Sequence, residues 1–337
     1  MRWWMKAAIA GSCAHIPGGM NVFDSIRRRY GELANFERAD GFRNAGWFLK
    51  TMRGIYGDVR DLTALEAGTG WVPAIPFCCA LAGMKIETVD VASLVEPEFY
   101  DRFVDAAERH LPALASAADV DQRFMSERLE TARRAGTFEK AMSELGCSWQ
   151  APVDTTNLEY PDNHVDVTLS NLVLQCMPKN VVPDVVRELH RITRPGGYSI
   201  HRMTMVDEYS AGDPGRSDFD FLRFPERTWN RWFCHRIKHL NRMRYSQFRD
   251  LLTSAGFDVV EVKREIDHDS IPHLQRKGVA PEFQHLSWED LVTSQMEIVL
   301  QKPHDRPEEM AREQPCHSWP QSQPADHPTA LSPAKIF

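Results

Sequence analysis

Between residues 59 and 302 the chain alternates short apolar runs with longer segments whose apolar residues recur every three or four positions. This is the pattern of a parallel sheet with helices on both faces. The run LTALEAG (62–68) is apolar apart from Thr63 and Glu66 and reads as a buried strand. PAIPFCCALAG (73–83) follows as a helix, with Pro73 suited to a first turn, where a missing N–H costs little. KIETVDV (85–91) is the second strand. Beyond it come a buried strand DVTLSN (166–171), a helix NVVPDVVRELHRIT (180–193), an RPGG turn and a strand YSIHRMT. A helix YSQFRDLLTSAG (245–256), a strand FDVVEVKRE (257–265) and a last strand SQMEIVLQK (294–302) complete the alternation.

Three stretches fall outside that alternation. Residues 1–58 read as a helical extension, with NVFDSIRRRYGELANF (21–36) and RNAGWFLKTMRGIYG (43–57) carrying aromatic and aliphatic residues at helical spacing. Residues 93–146 are too long for one crossover. Their charged, helix-like segments EFYDRFVDAAERHL and DQRFMSERLETARRAG predict a helical insertion. From Pro303 to residue 337 the composition turns to Pro, His, Gln and Ser, which predicts a disordered tail.

Composition narrows the classes of function. With 42% apolar and 26% charged residues in 337, the chain is ordinary for a globular protein. A net charge of −7 gives no global attraction to nucleic acid, so none is expected as a partner. The seven cysteines form no CxxC pair and no metal-ligand spacing, which suits free thiols in a reducing compartment and predicts no metal. No apolar run reaches the roughly 18 residues of a membrane span. The opening MRWWMKAAIAGSCAHIP has a short apolar core preceded by two tryptophans and reads as a helix rather than a leader, with cytoplasmic location as the default. The oligomeric state is not readable.

The candidate chemistry begins at Gly68-Thr69-Gly70, where the first strand feeds the first helix. Two glycines there let backbone approach a ligand closely. The dinucleotide fingerprint G-x-G-x-x-G fails, however. Ala74 or Ile75 stands near the third glycine position, and Pro73 and Pro76 remove N–H groups a phosphate would need. Glu66, just before the turn, repels phosphate and suits a cation or an amino-acid ammonium. Asp90, twenty residues past Gly70, is placed to accept from both hydroxyls of a ribose, a role that serves NAD and an adenosine equally.

At this point the chain resembles the class I S-adenosylmethionine-dependent methyltransferases. The likeness runs in order through LEAGTGW (65–71), ETVDV (87–91), VDTTNLEYPDNHVDVTLSN (153–171), ELHRITRPGGYSIHRM (188–203) and AGF (255–257), covering roughly residues 60–302. Val72 in place of a small residue and the insertion at 93–146 depart from the family pattern. The resemblance implies a Rossmann-like α/β fold: a mostly parallel seven-stranded sheet, helices on both faces and an antiparallel last strand. It implies S-adenosylmethionine as cofactor and methyl transfer to a small or medium organic acceptor, oxygen favoured. By position it puts Glu66 beneath the methionine part, with Gly68, Thr69 and Gly70 passing close to it. Asp90 would hold the ribose, Val91 the adenine face, and Asp154 with the Thr155 backbone the adenine amino group. Asn171 would line the methyl-transfer side. Trp71 has two readings, a face for the sulfonium or a core tryptophan. Asp154 likewise reads as an adenine ligand or a turn cap. A nicotinamide-dependent oxidoreductase, a non-catalytic partner protein and an RNA methyltransferase are the alternatives.

An oxygen acceptor needs a base within hydrogen-bond reach. His201 on the fifth strand, followed by Asp207 and Tyr209, supplies the candidates, although strand alternation also allows His201 to be a buried, satisfied histidine. After that strand, residues 207–244 exceed what the core fold requires. Trp229, Trp232, Phe233, Ile237 and Leu240 share one helical stripe, while Arg227, Arg231, Lys238 and Arg242 mostly lie elsewhere. An amphipathic lid helix is favoured over a nucleic-acid or membrane patch. Its basic residues imply a substrate bearing a phosphate or carboxylate.

Overall fold

The computed structural model describes residues 2–19, 22, 23, 25, 29, 40–210, 213, 215–235 and 238–304. The helix expected at 21–36 falls almost wholly outside the described residues, as does the expected tail from residue 305 onward.

Seven strands, among the described residues, form one sheet: β1 Thr63–Ala67, β2 Lys85–Val89, β3 Ser148–Gln150, β4 Val165–Asn171, β5 Thr193–Thr204, β6 Asp258–Ile266 and β7 Thr293–Gln301. Their order is β3-β2-β1-β4-β5-β7-β6. β7 runs antiparallel to both neighbours, and the β1–β2, β1–β4, β2–β3 and β4–β5 pairs are parallel. The strand order reverses between β1 and β4, so a crevice for a ligand opens at their carboxyl ends.

Helices α1 Trp3–His15, α2 Gly41–Tyr56, α3 Ala74–Leu81, α4 Tyr100–Ala118, α5 Gln122–Ala135 and α6 Phe138–Glu144 precede β3. The expected insertion is therefore helical, and its last helix leads into β3, a three-residue strand too short to announce itself by pattern. α7 Val182–Ile192, α8 Glu226–Trp232, α9 Tyr245–Ser254, α10 Ile271–Lys277 and α11 Trp288–Leu291 follow in chain order. The RPGG segment is a correction. It is not a turn before β5 but an irregularity inside it, with the register to β4 shifting between Val165 and Val167.

Each sheet face has its own core. Phe42, Phe48 and Leu49 of α2, Phe77 of α3 and Phe103 and Leu111 of α4 meet Ala64, Ile86 and Val167 of the sheet. Leu65, Val89, Met203 and Ile298 meet Val185, Val186 and Leu189 of α7 and Phe248 and Leu252 of α9 on the other face. A third cluster lies around α1, where Trp3 packs with Tyr209, Phe219 and Trp229.

The expected long lid helix is also a correction. α8 ends at Trp232, and an isolated bridge between His235 and Lys238 follows. Trp229 is buried and Trp232 is 63% exposed, so the stripe does not persist as one face; Ile237 lies outside the described residues. Arg242 turns inward, donating to the Phe221 and Phe224 carbonyls and lying over the Trp229 and Phe283 rings. Lys238 pairs with Glu208 at 2.7 Å. Of the four basic residues expected on that face, Arg227 and Arg231 alone remain exposed, so the argument for an anionic substrate loses its main support.

Arg244 ties this segment to the sheet. Fully buried, it donates to four carbonyl oxygens, those of Met205, Asp290, Leu291 and Thr293. Replacing it leaves four acceptors inside the protein without a donor. Arg244→Met is expected to destabilise the chain by about 3–5 kcal/mol, read as a drop in the midpoint of urea denaturation.

Candidate active site

The first βα turn is shaped by two glycines in the left-handed region. Gly68 has φ +91°, and a Cβ there would stand 2.4 Å from Val173 Cγ2. Glycine is required here because the segment after β4 packs directly on the turn. Gly70, φ +68°, meets nothing within 4 Å and keeps its face open. Its N–H donates to Asp90 Oδ2 at 2.9 Å, and Asp90 Oδ1 accepts from the Ala92 N–H at 3.1 Å. One carboxylate thus fastens the turn after β1 to the turn after β2. Each oxygen keeps a lone pair for a further donor.

Beneath the turn, Thr69 Oγ1 lies 2.6 Å from Thr88 Oγ1, and the Thr88 hydroxyl donates to Glu66 Oε2 at 2.7 Å. Glu66 is 2% exposed. Burial, opposed by the Thr88 hydrogen bond and reinforced by the Asp90 charge, pushes its carboxyl up to about 8. Thr88 is a residue that sequence reasoning missed; a hydroxyl two residues before Asp90, on the strand face opposite Glu87, was the available signal.

At the rim, Val91 is 66% exposed, an apolar side chain held out at the carboxyl end of β2. Asp154 is exposed, and its Oδ1 accepts from the Thr156 N–H and hydroxyl at 2.9 and 2.7 Å, which hold its carboxyl below the usual range. It does cap a turn, while Oδ2 stays outside that cap. Thr155 beside it is buried. Asn171 ends β4, and its buried Oδ1 has no hydrogen-bond partner among the described residues. Trp71 lines a cavity of about 230 Å³ with Phe99, Phe103, Phe138 and Trp149.

The three candidate bases are not brought together at this crevice. His201 is fully buried within the sheet, with Nδ1 2.7 Å from the Ser170 hydroxyl and Nε2 2.8 Å from that of Ser199. Burial depresses its pKa to about 3. Neither ring nitrogen is left for a substrate proton, so the expected base is corrected to a packed, neutral histidine. Asp207 is 1% exposed and accepts from Trp3 Nε1–H at 2.5 Å and from the Tyr209 N–H at 2.9 Å. Tyr209 is buried too, its hydroxyl 3.1 Å from His235 Nε2. This pair anchors α1 to the segment after β5.

A family model described as a methyltransferase domain matches residues 101–201. That match and the strand order agree with a Rossmann-like methyltransferase fold. The domain match and the fold indicate an enzyme that uses S-adenosylmethionine.

The residues fit that cofactor: an open face at Gly70, an unpartnered Asn171 carbonyl and an exposed Val91 beside Asp90. No curated protein matches the chain. Solved structures resemble it distantly. One is the 1,6-didemethyltoxoflavin-N1-methyltransferase of Burkholderia thailandensis, 14% identical over 90% of this chain and 91% of that one, TM-score 0.44. Another is an S-adenosylmethionine-dependent methyltransferase of Mesorhizobium loti, 15% identical over 76% and 97%, TM-score 0.40. A third is the [4+2]-cyclase SpnF, 15% identical over 77% and 81%, TM-score 0.43. Likenesses this distant say nothing of the acceptor. Among the described residues no group of three metal-ligating side chains occurs, and no helix is long and apolar enough to cross a membrane.

Glu66 gives a pH signature. Its folded-state pKa lies above the unfolded value, so the folded chain binds the extra proton and stability falls as pH rises from about 5 to 8. Glu66→Gln removes the titration. The variant should melt higher than the parent at pH 8, with the difference shrinking toward pH 5 in thermal scans.

Proposed function

We propose that the methyltransferase passes the methyl group of S-adenosylmethionine, by in-line displacement, to a small or medium uncharged organic acceptor, with oxygen as nucleophile. The observation that carries the cofactor geometry is the Gly70 N–H. In a dinucleotide turn such a group is given to phosphate; here it is held by the Asp90 carboxylate, and a diphosphate would meet negative charge instead.

In this reading Asp90 accepts from the ribose hydroxyls with its remaining lone pairs, and Val91 covers one adenine face. Asp154 Oδ2 and the Thr155 backbone meet the adenine edge. Glu66 and Thr69 lie under the methionine part, and Asn171 faces the transferring methyl. The cofactor supplies an activated carbon; the chain's task is to align the partners and exclude water. Oxygen is favoured because the polar side chains on the segment ending β4, Asn171 and Gln175, are uncharged. A neutral hydroxyl enters such a place at less desolvation cost than an ammonium.

Two measurements test this. Asp90→Ala should weaken adenosylhomocysteine binding by roughly ten- to a hundred-fold, the worth of charge-assisted hydrogen bonds, in calorimetry. Incubation with methyl-tritiated cofactor and matched pairs of hydroxyl and amine acceptors should label the hydroxyl member. Undiminished binding by Asp90→Ala would remove the cofactor geometry, and label in the amines alone would remove the oxygen assignment.

A further inference from the structure

Gln175 stands out among the buried polar side chains. It is 1% exposed, and neither its Oε1 nor its Nε2 has a hydrogen-bond partner among the described residues. An unpaired buried carboxamide is costly, and native proteins leave few without a reason. Its position is specific. It sits in the 3₁₀ turn Leu174–Cys176, immediately after β4, and Val173 of the same segment packs on Gly68 of the cofactor turn.

From the other side, the strap after α8 is fastened onto this turn. Asn241 donates its N–H to the Gln175 carbonyl at 2.9 Å, and its Nδ2 to the Leu174 and Met177 carbonyls at 2.8 and 3.1 Å. His239 of that strap hydrogen-bonds the Cys176 backbone, and its Nδ1, also buried, has no partner among the described residues. Burial lowers the His239 pKa, so the imidazole is neutral at pH 7. His239 and Asn241 also line a cavity of about 340 Å³ with Lys179, Asn180, Glu226 and Asn230. Three groups on these segments are thus buried and unpaired among the described residues: the Asn171 carbonyl and the Gln175 carboxamide after β4, and the His239 Nδ1 on the strap bonded to the same turn.

We propose that Gln175 is a positioning residue for the methyl acceptor, and that the acceptor presents an uncharged donor and acceptor side by side, as a lactam or a hydroxy-substituted nitrogen heterocycle does. A carboxamide offers one N–H face and one carbonyl face and complements that pair. This rests on the methyltransferase reading above. The bland alternative is an amide that merely packs, and the two differ in the acceptor: replacing a ligand-directed amide raises KM for the acceptor, replacing a packing one leaves it unchanged.

The test uses the full chain, Gln175→Leu and the unbranched Gln175→Met. With no ligand, both variants should melt about 2–4 °C above the parent, because an apolar side chain relieves the unpaired amide. Adenosylhomocysteine affinity should stay within about twofold. KM for an acceptor should rise about tenfold with kcat little changed, the worth of one hydrogen bond to the bound acceptor. The acceptor panel pairs uncharged lactams and hydroxypyridines with carboxylates and amines, using labelled cofactor. Lower melting of both variants, an unchanged KM, a tenfold weakening of adenosylhomocysteine binding, or transfer to none of the uncharged members would each overturn the assignment. If the parent itself fails to bind adenosylhomocysteine, the methyltransferase reading falls instead.

Discussion

The hydrogen bond from Gly70 N–H to the Asp90 carboxylate is the constraint around which the crevice is organised. It joins the turns after β1 and β2, which parallel pairing alone brings near but does not lock. Because it occupies a backbone donor with a negative charge, it also sets the chemistry of the ligand: hydroxyl and ammonium groups are welcome, phosphate is not. The Thr69–Thr88–Glu66 chain beneath supports the same turn from inside the sheet.

Around that turn the molecule places polar groups by two different rules. Those that hold the fold are satisfied, as with His201 between two serine hydroxyls, Arg244 among four carbonyls and Asp207 with the Trp3 indole. The Asn171 carbonyl, the Gln175 carboxamide and the His239 Nδ1 are not, among the described residues. Hydrogen-bond accounting separates the two sets where residue type cannot, because histidine and aspartate look equally catalytic when read one by one.

Much of this was legible in the sequence. The buried runs set the strands, Glu66, Pro73 and Pro76 around the Gly-Thr-Gly turn pointed to a nucleoside rather than a diphosphate, and the spacing of residues 93–146 pointed to helices. What misled was local pattern without partners. Trp229 and Leu240 share a stripe on paper, yet the helix stops at Trp232 and the chain turns so that Arg242 lies on Trp229. β3 was hidden because three residues carry no periodicity.

The sequence alone determined the sheet's identity and the character of the cofactor turn, since both depend on short-range facts: which residues are apolar in succession, where glycine stands, which N–H groups proline removes. Tertiary structure decided which polar side chains are used up. Whether His201 has a free nitrogen depends on Ser170 of a neighbouring strand, and whether Gln175 is paired depends on a strap that approaches from more than sixty residues away. Such pairing is a property of three-dimensional neighbours, and no pattern along the chain encodes it.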